Sequence, residues 1–226
     1  MRWKKCGKGC VEMIRKLILL GGGGHCKSVL DSLLSSSNFS EIGIVDKKEI
    51  MGTDVLGVPV FGCDDDLAGL LQQGYTHAFV TLGNIGNPSA RKKLFMKIEQ
   101  IGFIIPSIID SSANVSKYAN IEAGVFIGKN AVVNGGSVIG KGAIVNTSSI
   151  IEHDCIIEEF VNISPGSVIC GGVHIGSDTY IGAGSVIKQQ VKIGPDSVIG
   201  MGSIVLKDIE GNTLAYGNPC REVKKL

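Results

Sequence analysis

The sequence predicts an α/β, Rossmann-like domain over residues 13–106 followed by a parallel β-helix over residues 107–226. Three observations predict it. From Ile109 to Val205 every sixth residue is Ile or Val, at seventeen successive positions without a break. Ahead of that run, strand-length apolar segments alternate with helix-length ones, the pattern of a small parallel sheet. Glycine makes up 32 of the 226 residues, about twice its usual share of roughly 7%, with no collagen-like triplet. Many tight corners or close backbone approaches are therefore expected.

Taken in order, residues 1–12 precede Met13-Ile-Arg-Lys-Leu, which reads like a natural start, and are expected to be an extension with little structure. Lys16–Leu20 reads as a buried strand, Gly21–Gly24 as a loop and Cys26–Leu34 as a helix. Ile42–Val45 is a second strand, ending at Asp46. Asp64–Gln73 is helical, His77–Thr81 a third strand and Pro88–Gln100 a further helix. Phe103–Ile105 then leads through Pro106 into the repeat.

A strict period of six suits neither a helix, with apolar spacing near 3.6, nor a flat strand, with spacing 2. It suits one short strand plus one corner. Three such sides make a coil of eighteen residues, and five to six coils at about 4.8 Å each give a column on the order of 25 Å long. No single coil buries its own face, so stacking supplies the core. Four residues after each aliphatic the side chain is small, as at Ala131, Ser137, Ala143, Ser149 and Cys155. The residue directly after each aliphatic is often Gly or Asn, as at Gly128, Asn134, Gly140 and Asn146. These are expected to support unusual dihedrals near the corner. The lack of insertions assigns any substrate-specific apparatus to the N-terminal domain.

Composition excludes several classes. Net charge is +1 with no long basic run, so no nucleic-acid partner is expected. The apolar stretch Leu17–Leu20 is far short of the about 20 residues that a membrane span needs, so membrane insertion is not expected either. Seven cysteines, an odd number, do not make a disulfide framework, and a cytoplasmic location with reduced thiols is expected. Cys6 and Cys10 have no second Cys or His pair to complete a zinc site, so no metal is expected.

Gly21-Gly-Gly-Gly-His25, between a strand and a helix, is a candidate phosphate cradle, because unpaired helix N-terminal amides favour an anion. A dinucleotide fingerprint would need Gly where Cys26 stands. That disfavours an NAD-linked enzyme against a plain tight turn or a site for a nucleotide-linked ligand, with Asp46 at a strand's carboxyl end. The informative patch of the repeat is Asn146-Thr-Ser-Ser-Ile-Ile-Glu-His-Asp-Cys155. In register, Ile151 and Cys155 face inward, so Glu152, His153 and Asp154 face outward. An external His beside a carboxylate is equipped as a general base; the plain alternative is a surface His with no task. Cys155 reads as core, His174 as an outward corner residue, His77 as structural, and Ser164 and Ser167 as parts of the repeat.

The motif [Ile/Val]-Gly-x-x-[small]-x, as in Ile127-Gly-Lys-Asn-Ala131 and Ile181-Gly-Ala-Gly-Ser185, resembles the hexapeptide acyltransferases. That resemblance implies a left-handed β-helix, a homotrimer and an acyl-donor site between neighbouring columns. The tail Gly211–Arg221 resembles the family's ending, with Cys220 in place of Ala. The patch Asn146–Cys155, with Gly-Gly-His-x-Lys at residues 23–27 and Gly83-Asn84, closely resembles one subfamily from Ile14 to Val223. These are the two-domain sugar acetyltransferases, which include UDP-4-amino-sugar N-acetyltransferases and sialic-acid O-acetyltransferases. The resemblance implies that His153 is the base and Asp154 its acidic partner. It also implies that Gly23, Gly24, His25, Asp46, Lys47, Gly83 and Asn146 serve the nucleotide-sugar, and that acetyl-CoA lies near Asn162, Gly171, Ala183 and Met201. Two departures stand out: Asn162 occupies a place where some members carry a second His, and Lys47 one where some carry a second acid. The expected reaction is acetyl transfer from acetyl-CoA to the 4-amino group of a UDP-linked deoxysugar. O-acetylation of sialic acid or another sugar hydroxyl is the runner-up. A non-catalytic, nucleotide-sugar-binding trimeric scaffold is the alternative of another class.

Overall fold

The computed structural model describes residues 15–36, 39–83 and 86–226. The expected extension at residues 1–12 and the motif residue Asn84 lie outside them. In the N-terminal half the elements run β1 (Lys16–Leu20), α1 (Gly24–Ser36), β2 (Glu41–Val45), β3 (Asp54–Val55), β4 (Val58–Gly62), α2 (Leu67–Gln72), β5 (His77–Val80) and α3 (Ser89–Ile101). The sheet order is β3-β4-β2-β1-β5, parallel except for β3, which pairs antiparallel with β4. β1 is apolar and fully buried from Leu17 to Leu20 because helices cover both faces of a parallel sheet. Its Leu17 and Leu19 pack toward α1, and its Ile18 and Leu20 toward α2 and α3. Both layers also contain residues of the repeat, Phe126 and Ile144 on one side and Phe160 on the other, so the two halves share continuous core.

Two elements differ from expectation. The helix expected from Asp64 begins at Leu67. The Asp66 carboxylate accepts the Cys63 amide at 2.8 Å, which turns residues 63–66 into a tight bend ahead of the helix. The β3–β4 hairpin was not foreseen at all.

The repeat is a left-handed parallel β-helix. One two-residue strand per unit, from β6 (Ile108–Ile109) to β22 (Ile204–Val205), stacks into three parallel sheets. We call the face containing Ile150–Ile151 the first, that containing Ile156–Ile157 the second and that containing Ile144–Val145 the third. The second residue of each strand points inward, and those from Ile127 to Ile187 are all fully buried. The small residues Ala131, Ser137, Ala143, Ser149 and Cys155 are also fully buried, at the corners. After Val205, β23 (Thr213–Gly217) extends the third face in parallel, and β24 (Cys220–Lys225) folds back on it antiparallel. No helix among the described residues is long and apolar enough to cross a membrane.

The structure corrects one reading of the repeat. From Ile121 to Ile199 the left-handed dihedrals sit three residues after the aliphatic, as at Asn130 (φ 54), Asp154 (φ 59) and Phe160 (φ 57), not directly after it. The glycine directly after the aliphatic serves close approach instead. A Cβ on Gly140 would stand 2.7 Å from the carbonyl carbon of Glu158, one coil on, and one on Gly176 only 2.5 Å from the Pro195 nitrogen.

Candidate active site

Corner geometry places the predicted base. Asp154, at the left-handed corner position, turns its carboxylate back along the chain, and its Oδ2 lies 2.8 Å from His153 Nδ1. In a neutral ring, an Nδ1–H donating to this acceptor leaves the lone pair on Nε2, the arrangement a base requires. Both side chains are largely exposed in the single chain, 67% and 72%. Two glycines, each one coil from its neighbour, make the space. A Cβ on Gly171 would stand 2.7 Å from His153 Nε2, and one on Gly136 would overlap Asp154 Oδ1. The preceding Glu152 is held aside, its Oε2 accepting from Asn134 Nδ2 at 3.0 Å.

Eighteen-residue arithmetic then sorts the remaining column residues by side. His153 and Gly171 share the corner between the first and second faces. Ala183 and the 81%-exposed Met201 share the corner between the third and first. Asn162 stands on the third face, buried between Ile144 and Tyr180. The expected acetyl-CoA residues are therefore divided among two corners and the third face of one column. His174 lies on the flat second face, not at a corner, and its Nε2 is 2.6 Å from Glu158 Oε1. Cys155 is fully buried, and burial raises its thiol pKa, which leaves it no nucleophilic task.

In the N-terminal half, Gly21 to Gly24 turn from β1 into α1. Asp46, at the end of β2, closes the start of this loop: its Oδ2 accepts the Gly22 amide at 2.5 Å and its Oδ1 the Lys47 amide at 2.6 Å. Gly23 and Gly24 remain exposed at the helix N-terminus, with open space where a side chain would be. Beside them a crevice of about 370 Å³ is lined by Gly21, Asp46, Lys47, Lys48, Asp64 and Leu82, at the carboxyl ends of the strands. Asn146 Oδ1 accepts the Thr147 amide at 2.8 Å, on the column. No group of three or more His, Cys, Asp or Glu side chains able to hold a metal ion occurs among the described residues.

Comparisons with known proteins match both halves of the chain. The model described as PglD N-terminal domain matches residues 16–98, and that described as bacterial transferase hexapeptide (six repeats) matches 154–189 and 172–207. A histidine-to-asparagine variant of perosamine N-acetyltransferase from Caulobacter crescentus, in complex with CoA and GDP-perosamine, is 33% identical. The match covers 94% of this chain and 98% of that one, with a TM-score of 0.88. The chain belongs to the two-domain hexapeptide-repeat sugar acetyltransferases. The acetyltransferase domain of PglB from Neisseria gonorrhoeae FA1090, in complex with acetyl coenzyme A, is 32% identical over 93% of this chain and 100% of that one, with a TM-score of 0.85. The protein is thus an acetyl-CoA-dependent sugar acetyltransferase.

In this acetyltransferase His25 is the joint between its two parts. The ring meets Phe126 of the column edge-on, with centroids 5.2 Å apart, and a Cβ on Gly83 would touch its Cβ at 3.3 Å. Burial, with a smaller contribution from Arg91, lowers its pKa from 6.5 to about 4. Between those values the unfolded chain binds a proton here and the folded chain does not. Stability is therefore present above pH 6.5 and is lost as pH falls toward 4, by up to about 3 kcal/mol. Denaturant unfolding at pH 7 and pH 5 checks this: His25→Gln flattens the difference, and an unchanged pH slope would refute it.

Sequence reasoning missed Gly136 as the residue that leaves room for Asp154. The signal was its place eighteen residues earlier, one coil away. It also missed Arg91, which lies 2% exposed in α3 against the column.

Proposed function

We propose that the protein transfers the acetyl group of acetyl-CoA to an amino group of a nucleotide-linked amino-deoxysugar, with His153 as general base. The observation that carries the reading is the exposed His153–Asp154 pair, its Nε2 side cleared by Gly171. An amino-sugar nitrogen is largely protonated near neutral pH, so it must lose a proton before or during attack on the thioester. Nε2 accepts that proton, and Asp154 holds the ring and stabilises its charged form. The amine nitrogen bonds to the acetyl carbon, the carbon–sulfur bond breaks, and the proton held on Nε2 passes to the leaving sulfur, so that CoA departs as the thiol and the base is regenerated.

The reading includes a homotrimer. On the first face the outward residues beyond Asn114 are Val132, Ile150, Val168, Val186 and Ile204, an aliphatic stripe only partly covered in one chain. Three columns packed through this face bring the His153–Gly171 corner of one against the Ala183–Met201 corner of the next. The two sets of acetyl-CoA residues, divided within one chain, then line one groove. Asn162 lies behind that groove and can donate a hydrogen bond but not titrate. The glycine loop, with Gly23, Gly24, His25, Asp46, Lys47 and Gly83, holds the nucleotide, and Asn146 faces the sugar. We take the nucleotide to be UDP, the 4-amino group to be the acceptor and the cytoplasm to be the location. The GDP-perosamine complex of the Caulobacter enzyme puts GDP into the same test.

A thiol-release assay with UDP- and GDP-linked 4-amino sugars, sialic acid and no acceptor decides among these. CoA release is expected with a nucleotide-linked amino sugar, and the product carries one added acetyl group. Release with sialic acid alone would establish O-acetylation instead, and release indifferent to acceptor would sink the reading. Light scattering should give a trimer mass; a monomer would remove the groove.

A further inference from the structure

The corner between the second and third faces carries a vertical row of left-handed residues: Gly124 (φ 70), Gly142 (φ 65), Phe160 (φ 57) and Asp178 (φ 63), each one coil apart. Helix α3 lies on that row. The Phe95 ring fills the place of a Gly124 side chain and meets Phe160 edge-on at 5.3 Å. Arg91 Nη2 donates to the Gly142 carbonyl, and its guanidinium lies 5.8 Å from the Phe160 ring centre. Lys92 Nζ reaches Asp178 Oδ2 at 2.7 Å. A helix rises about 5.4 Å per turn and the coils about 4.8 Å each, so successive turns of α3 meet successive coils. Phe160 makes the fit deliberate, since a bulky side chain rarely adopts a left-handed backbone.

Arg91 is the odd member of this junction. It is buried, yet Nε and Nη1 have no protein acceptor, and Asp178 Oδ1, also buried, has no donor. Burying a charge with so few partners is costly, and an apolar side chain of similar size is often as stable or more so. What a guanidinium adds is direction, because its planar fork fixes the angle between the two surfaces it joins. α3 also lends Leu94, about one turn on from Arg91, to the wall of the nucleotide crevice. We propose that Arg91 is a positioning residue: it fixes α3 on the column and so sets the reach from the nucleotide-sugar crevice to the acetylation site. The inference rests on the functional reading above.

Arg91→Met and Arg91→Lys test it in the full chain. Thermal stability of Arg91→Met should equal or exceed that of the wild type, with mass unchanged and KM for acetyl-CoA within about twofold. The value of kcat/KM for the amino sugar should fall by about tenfold to a hundredfold, the effect of a misplacement near 1 Å. Lys, lacking the fork, should not restore it. Unchanged kcat/KM for the sugar would overturn the proposal, as would a loss shared equally by both substrates with a lowered melting temperature. Should Arg91→Met not fold, Asp178→Asn at the rim of the same junction must show the same split between substrates, or the proposal fails. Hydrogen exchange separates this outcome from failure of the functional reading. A wild type without acceptor-dependent thiol release refutes that reading, whereas unchanged protection of the first turn of α3 in Arg91→Met refutes the junction.

Discussion

Replacing His153 by asparagine lowers kcat for amino-sugar acetylation by about 10²- to 10⁴-fold, the usual contribution of a positioned general base. The chain stays folded, because the ring is 67% exposed and bonds to the adjacent Asp154. Surface changes of this kind shift stability by less than about 0.5 kcal/mol. KM for acetyl-CoA should change little, since the loss falls on a transition-state interaction. The companion variant is Asp154→Asn and not Asp154→Ala. Asp154 sits at φ 59, a conformation Asn adopts readily and Ala does not, so Asn removes the charge without straining the corner. Steady-state kinetics on folded protein of unchanged mass decides the matter. Full activity in His153→Asn would move the chemistry to another part of the column.

The outward placement of His153 was legible because a strict period of six fixes every side chain's direction once one aliphatic is known to face inward. Burial of Cys155 followed from the same arithmetic. So did the division of His153 from Asn162, although that consequence shows only when the nine-residue step from one to the other is counted as one and a half sides of a three-sided column. The role of the glycines was less legible. Gly140 and Gly176 answer to backbone in the next coil, and composition does not distinguish close approach from a left-handed dihedral. In the N-terminal half, β1 and β5 announced themselves as apolar runs, but the β3–β4 hairpin did not. Its turn places Leu56 (φ 49) and Gly57 (φ 80) in the left-handed region, where an Asn-Gly or Asp-Gly pair would have signalled a hairpin. Arg91 was hidden for a different reason. On an amphipathic helix an Arg reads as solvated, and only the column packed against α3 makes it buried.

Gly171→Ala should cost activity on the order of 10²-fold while leaving the column intact. Gly171 takes an ordinary backbone conformation, so alanine brings no dihedral strain. What it brings is a methyl group 2.7 Å from His153 Nε2 and 2.8 Å from Cε1, separations that real contacts do not sustain. The ring, exposed and free to turn, must give way, and a shift of about 1 Å in a reacting group costs roughly 10²-fold. The neighbouring Gly172→Ala is the control. Gly172 sits at φ 69, with a side-chain position 3.5 Å from Gln190 Cγ and clear of the ring. Alanine there should cost about 1 kcal/mol of stability for the left-handed backbone and leave kcat near wild type. The two substitutions thus separate the column from the catalytic group: one spares stability and removes activity, the other does the reverse. Full kcat in Gly171→Ala would mean that the position of the His153 ring does not limit the reaction. Equal losses in both variants would mean that the corner, and not the base, was being measured.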